Sequence, residues 1–94
     1  MNDASPKEVQ LLGDVRSLVG ETLQLGPRTD TLSAASGLFG HLPELDSMAV
    51  VTIICAIEDR FAVQFEDDEI TAENFATLGS LTSLVEEKLK AGVA

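Results

Sequence analysis

The stretch from Met48 to Phe61 constrains the fold more than any other part of the chain, because it contains neither glycine nor proline. Asp46, just before it, is a residue type preferred at helix N-caps, so a helix of about 15 residues can run through this stretch. Its apolar residues fall into two stripes at helical spacing. The wider stripe is suited to a core face: Val50, Ile53, Ile54, Ile57 and Phe61. The narrower stripe is not needed for folding: Met48, Val51 and Cys55.

Helical patterns also occur on both sides of this stretch. Ser5, Pro6 and Glu8 combine an N-cap, a first helical position and a capping box, so a first helix should begin here and stop near Leu25. Apolar residues recur along it at spacings of three and four: Val9, Leu12, Val15, Val19 and Leu23.

A last helix should begin between Thr77 and Ser80, with Gly92 after its end. Between the second and the last predicted helix, residues 71–75 predict a short helix at best, with Ile70 and Phe75 directed inward.

Residues 26–46 form a long connection between the first two helices. Structureless loops of this length are uncommon in compact domains, so we expect it to be held by its apolar residues. These residues are Leu32, Leu38, Phe39, Leu42 and Leu45. The sequence therefore predicts a single all-α domain over residues 1–94, a bundle of three longer helices and one short helix. Residues 1–4 are expected to be a loose tail and residues 5–90 the bundle.

The composition restricts the partners. Sixteen acidic residues against six basic ones give a net charge of −10, which argues against nucleic acid or an anionic membrane surface and favours basic protein surfaces. Acidity that merely serves solubility is the alternative explanation. No signal-peptide pattern or apolar run of membrane-spanning length occurs, so we expect a cytoplasmic protein without membrane insertion.

Catalytic and metal sites are difficult to assemble from these residues. A serine nucleophile needs a neighbouring base, and the single histidine, His41, is a loop residue without an identifiable orienting partner. Cys55 is flanked by apolar residues, and no cation is in view to activate its thiol. The acidic run 66–69 lacks the alternating ligands and central glycine of a calcium-binding loop, so we interpret it as solvated surface. We therefore predict neither catalytic nor metal-binding residues.

Ser47 lies where the loop meets the second predicted helix. A phosphate on its oxygen would be stabilised by unpaired backbone N–H groups and by the positive end of the helix dipole. The triplet Asp46-Ser47-Met48, opening a helix in a small acidic chain, resembles the Asp-Ser-Leu attachment motif of acyl carrier proteins. The resemblance extends over about residues 5–90, through the order of the helices and the long loop before the serine.

This resemblance implies that Ser47 carries a 4′-phosphopantetheine arm, whose thiol holds acyl groups as thioesters. Asp46 would cap the helix and add to the carboxylate environment used by the phosphopantetheinyl transferase. The other implied partners are a loading ligase or acyltransferase and downstream enzymes of fatty-acid, polyketide or related specialised biosynthesis. The chain itself would be a non-catalytic, monomeric carrier. One departure is Glu44, which stands where many family members have glycine.

The partner-binding face is expected on the second helix: Met48, Val51, Cys55, Glu58 and Asp59. Many acyl carrier proteins place acidic residues along the first half of this helix, whereas here no charge occurs from Met48 to Ile57. Two alternatives stay open. The chain could be a peptidyl or aminoacyl carrier, or a small acidic protein that binds a basic partner without any prosthetic group.

Overall fold

The computed structural model describes residues 6–92 and confirms the all-α bundle. Its helices are α1 (Pro6–Leu23), α2 (Ser47–Phe61) and α3 (Leu78–Gly92), with 3-10 helices at Gly26–Thr31 and Asp67–Glu69. Within this range the only β-type pairing is an isolated bridge between Gly37 and Thr77. The predicted tail and the predicted cap at Ser5 lie outside the described residues.

The end of α1 comes two residues earlier than predicted, because the chain turns before Gly26 and Pro27. Gln24 adopts a left-handed conformation with φ 56°. The N–H of Gln24 then donates to the carbonyl of Glu21, at 3.3 Å, and that of Leu25 to the carbonyl of Gly20, at 2.9 Å. This pair of hydrogen bonds satisfies carbonyls at the helix end that would otherwise lack partners.

The core is aliphatic with one fully buried aromatic ring, Phe75. α1 packs against α2, α3 and the first 3-10 helix, so the core lies along its apolar face. Among the described side chains, no polar or charged one is buried. Of the predicted core stripe of α2, Ile53, Ile54 and Ile57 are buried. Val50 and Phe61, the other two members, are only partly buried and pack against the edge of the core.

The long connection is held by backbone hydrogen bonds as well as by apolar side chains. Leu32, Leu38 and Leu45 are buried as predicted, whereas Phe39 is 43% exposed and the prediction for it is wrong. The cause lies in the backbone. The N–H groups of Leu38 and Phe39 donate to the carbonyls of Ala76 and Phe75, at 2.8 and 2.9 Å, which fixes the loop at the protein surface beside the start of α3.

The segment between α2 and α3 contains only short helical turns. Beyond the 3-10 helix Asp67–Glu69, a turn closes with the N–H of Phe75 donating to the carbonyl of Thr71, at 3.1 Å. Phe75 points inward as predicted, with 2% exposure, but the same prediction for Ile70 is wrong because it is 38% exposed. The backbone between the two turns is not helical at Ile70, where ψ is 82°, so the two side chains do not share a helical face.

Candidate functional site

Ser47 is the first residue of α2, and Asp46 caps this helix as predicted. Asp46 is extended, with φ −97° and ψ −174°, and its Oδ1 accepts a hydrogen bond from the N–H of Ala49, at 2.8 Å. Its carbonyl accepts the first helical hydrogen bond from Val50, at 3.0 Å. The N–H groups of Ser47 and Met48 therefore precede the helical ladder and have no acceptor within the helix. The Ser47 side chain is exposed beside these two donors.

The loop that leads into Ser47 is held in place by one buried side chain and by one ion pair. Leu45 is buried, and Glu44 forms an ion pair with Arg28 of the first 3-10 helix. The hydrogen bond from Arg28 holds the pKa of the Glu44 carboxyl below its usual value. Glu44 does not adopt a positive φ, so this loop has no need of the glycine that many family members carry here. The departure noted in the sequence is thus accommodated by a charged link to another part of the chain.

An apolar cleft of about 270 Å³ opens directly beside Ser47. One wall is α2, and the other is the segment between the second 3-10 helix and α3. The polar residues of its lining are Ser47 and Thr71. The rest of the lining is apolar: Phe39, Val50, Val51, Ile70, Ala72 and Phe75. Three of the four large apolar side chains that are exposed in the described residues line this cleft, namely Phe39, Val51 and Ile70. The sequence did not reveal the cleft, because its walls come from three separate segments.

The two stripes of α2 lie on different faces, as their spacing predicts. Met48 is 76% and Val51 57% exposed, and Cys55 is also exposed. Of the predicted acidic partner residues, Asp59 is exposed, whereas Glu58 is half-buried. Its Oε2 accepts a hydrogen bond from the N–H of Phe65, at 2.9 Å, so Glu58 also holds the chain just after α2.

His41 is an exposed loop residue. No group of histidine, cysteine and acidic side chains in residues 6–92 has the arrangement of a metal site. No helix in the described part of the chain is long and apolar enough to cross a membrane.

The exposure of Cys55 makes a labelling experiment informative. We expect a thiol reagent to modify Cys55 in the folded protein about as fast as in denaturant, because no packing has to open first. With a disulfide reagent, the reaction releases a thiolate whose absorbance measures the rate of modification. Modification only after denaturant is added would place Cys55 in the core and contradict the assignment of the two faces.

Comparisons with known proteins show which proteins this chain is similar to. Residues 13–85 match the family described as "Phosphopantetheine attachment site". An acyl carrier protein of Exiguobacterium sp. is 32% identical over 80 residues, covering 85% of this chain and 95% of its own. Another, of Beutenbergia cavernae, is 28% identical over 78 residues, covering 83% and 89%. A holo acyl carrier protein from Nitrosomonas europaea, solved by NMR in solution, has a TM-score of 0.81 and 53% identity, covering 86% of this chain and 98% of its own.

Fold, site and similarity together define a protein that carries a covalently attached phosphopantetheine group. The chain belongs to the acyl carrier protein family. Members of this family are carriers, and they work with a phosphopantetheinyl transferase and with biosynthetic enzymes.

Proposed function

We propose that Ser47 is the attachment residue and that the chain presents acyl thioesters to enzymes of fatty-acid, polyketide or related biosynthesis, without catalysis of its own. The observation that carries this proposal is the position of Ser47, exposed at the N-terminus of α2 and at the mouth of the apolar cleft. When bound, the prosthetic group supplies a thiol that forms thioesters, while the protein supplies position and recognition.

The residues around Ser47 fit a phosphodiester on its oxygen. The unpaired N–H groups of Ser47 and Met48 and the positive end of the α2 dipole favour an anion here. The carboxylate of Asp46 already accepts a hydrogen bond from the N–H of Ala49. This cap keeps the first turn of α2 in place beside the negative charge of the phosphodiester. Because Ser47 is exposed, the phosphodiester can be added without displacing a packed side chain.

The cleft fits an aliphatic cargo. Burial of apolar surface favours its entry by about 25 cal/mol per Å², and the lining of the cleft offers apolar side chains on both walls. We propose that Phe39, Val51 and Ile70 are exposed because they form the rim that the first part of an acyl chain contacts.

We further propose that residues 5–90 form one carrier domain that works as a monomer in the cytoplasm. Its partners would be a phosphopantetheinyl transferase, a loading ligase or acyltransferase, and downstream enzymes with basic surfaces. The net charge of −10 supports attraction to such surfaces, which should weaken as salt screens it. Asp46 would contribute its carboxylate to the surface that the transferase recognises.

The proposal is tested by adding the arm. The full chain is incubated with coenzyme A and a phosphopantetheinyl transferase of broad specificity, and its intact mass is recorded. We expect a gain equal to one arm, located by peptide mapping on the fragment that contains Ser47. No gain in mass, or a gain on another residue, would overturn the proposed attachment site.

The partner face leads to a separate prediction. We expect Met48→Ala and Val51→Ala each to weaken binding to a cognate loading enzyme by about 1–2 kcal/mol, on the order of tenfold in Kd, because these exposed side chains would be buried on docking. Glu58→Gln, which keeps an acceptor for the N–H of Phe65, and Asp59→Asn should cost less.

Titration calorimetry at low and at moderate salt would compare these four variants. The apolar variants should lose a similar amount of affinity at both salt concentrations, because salt screens charges far more than apolar burial. A dominant effect of the two acidic residues at both concentrations would show that docking is electrostatic.

A further inference from the structure

The wall of the cleft that faces α2, residues 70–75, is fixed firmly at its C-terminal end. Phe75 is buried there with 2% exposure. The carbonyls of Phe75 and Ala76 accept hydrogen bonds from the N–H groups of Phe39 and Leu38, at 2.9 and 2.8 Å. This end therefore belongs to the core and to the long loop, and it has little freedom to move away from them.

Core packing does not hold the other end of the wall. Ile70, Thr71 and Ala72 are exposed. The N–H of Ile70 donates only to Asp67, at 3.2 Å, and that of Thr71 only to Glu69, at 3.1 Å, which are hydrogen bonds within the segment itself. The position of this end relative to α2 and α3 must therefore come from side chains.

Glu69 provides that connection. Its Oε1 accepts hydrogen bonds from the N–H of Glu66, at 2.7 Å, and from Nζ of Lys88 on α3, at 2.8 Å. Its carbonyl accepts a hydrogen bond from Nδ2 of Asn74, at 2.7 Å, inside the wall. A single residue thus joins the second 3-10 helix, the wall and α3.

The ion pair between Glu69 and Lys88 is shielded from solvent to an unusual degree for this surface. The side chain of Glu69 is 26% exposed and that of Lys88 is 18% exposed. By contrast, Lys90 of the same helix is 76% exposed and forms an ion pair of 3.8 Å with Glu86, one helical turn before it. The N–H of Glu66 and then Lys88 lower the pKa of Glu69, and Glu69 raises the pKa of Lys88. Shielded pairs keep more of their Coulomb attraction than exposed pairs do.

We propose that Lys88 and Glu69 are positioning residues, whose ion pair holds the wall at its distance from α2. Release of this ion pair lets the wall swing about Phe75 and widens the cleft beside Ser47. Lys88 can serve this purpose because α3 packs on α1 and provides a rigid support. What enters the cleft rests on the proposed function, whereas the link between the wall and α3 does not depend on it.

The test uses the full chain before any arm is attached, so its outcome is independent of whether Ser47 accepts one. Lys88→Met keeps the length of the stem and removes the charge, and Glu69→Gln keeps an acceptor for the N–H of Glu66. Lys90→Met is the matched control, because it breaks the exposed pair on the same helix. Lys88→Arg retains the charge and should preserve wild-type behaviour.

Amide hydrogen exchange followed by NMR measures the opening of the wall. The N–H of Phe75 donates to the carbonyl of Thr71, so this hydrogen bond joins the fixed end of the wall to its moving end. In Lys88→Met and Glu69→Gln we therefore expect exchange at Ile70 and Phe75 to become about tenfold faster, while buried amides of α1 stay unchanged. Fluorescence of a neutral apolar dye, Nile red, should rise several-fold in the same two variants as the cleft widens. Lys90→Met and Lys88→Arg should match the wild type in both measurements.

Unchanged exchange at Ile70 and Phe75 would overturn the proposal. Faster exchange spread equally over all three helices would do so as well, because it would show a general loss of stability rather than movement of the wall. Should Lys88→Met fail to fold, the comparison of Glu69→Gln with Lys88→Arg decides the question. Identical exchange in those two variants would exclude a positioning role for the ion pair.

Discussion

In a Ser47→Ala variant, we expect the fold to be retained and the gain of a phosphopantetheine arm to be abolished. The hydroxyl is the only group at this position that can accept the phosphate, and methyl replaces it without loss of packing because Ser47 is exposed. The cap on α2 is supplied by Asp46 and stays in place. The change in the free energy of unfolding should therefore stay within about 0.5 kcal/mol. Intact mass after incubation with coenzyme A and transferase, together with a urea titration, would measure both effects.

Ser83→Ala is the matched control for this experiment. Ser83 is an exposed serine on α3, so its loss should change neither the fold nor the gain of the arm. Addition of an arm to the Ser47→Ala variant would place the attachment elsewhere. A failure of the Ser83→Ala variant to gain an arm would show that the assay responds to something other than the attachment residue.

The second helix and its two faces could be predicted because the necessary information is local. Asp46 supplies a cap, and the next residues repeat at helical spacing without a glycine or proline. The structure places Ile53 and Ile57 in the core and leaves Met48 exposed, as that spacing requires. The position of Ser47 in the first turn follows from the same two local features.

The cleft beside Ser47 could not be predicted, since it depends on long-range contacts. Phe39 and Ile70 both look like core residues when each is considered with its sequence neighbours. Their exposure is determined by the path of the backbone, in particular by the hydrogen bond between Phe39 and Phe75, which are far apart in the sequence. No periodic pattern encodes such a contact. The ion pair between Glu69 and Lys88 could not be predicted either, because it too joins residues far apart in the sequence. In addition, an acidic run is normally interpreted as solvated surface.

Gly20 illustrates a further limit of local reasoning, since helix propensity alone would count it as a defect of α1. Gly20 is buried where the first 3-10 helix crosses α1. A methyl group at this position would bring its carbon to 2.7 Å from Cβ of Thr29, which is closer than carbon atoms can approach without displacement. Gly13, seven residues earlier in the same helix, has nothing within 4 Å of the corresponding position. The two glycines therefore form a matched pair.

We expect Gly20→Ala to destabilise the protein and Gly13→Ala to stabilise it. Replacing glycine by alanine inside a helix contributes up to about 1 kcal/mol at either position. At Gly20 this gain is outweighed by overpacking against Thr29, which costs about 1–3 kcal/mol and forces the 3-10 helix away from α1. The free energies of unfolding of the two variants, from urea titrations, should therefore differ by the cost of overpacking, about 1–3 kcal/mol, with changes of opposite sign relative to the wild type. Stabilisation by both substitutions would show that the first 3-10 helix moves aside without cost and that its packing on α1 contributes little to the fold.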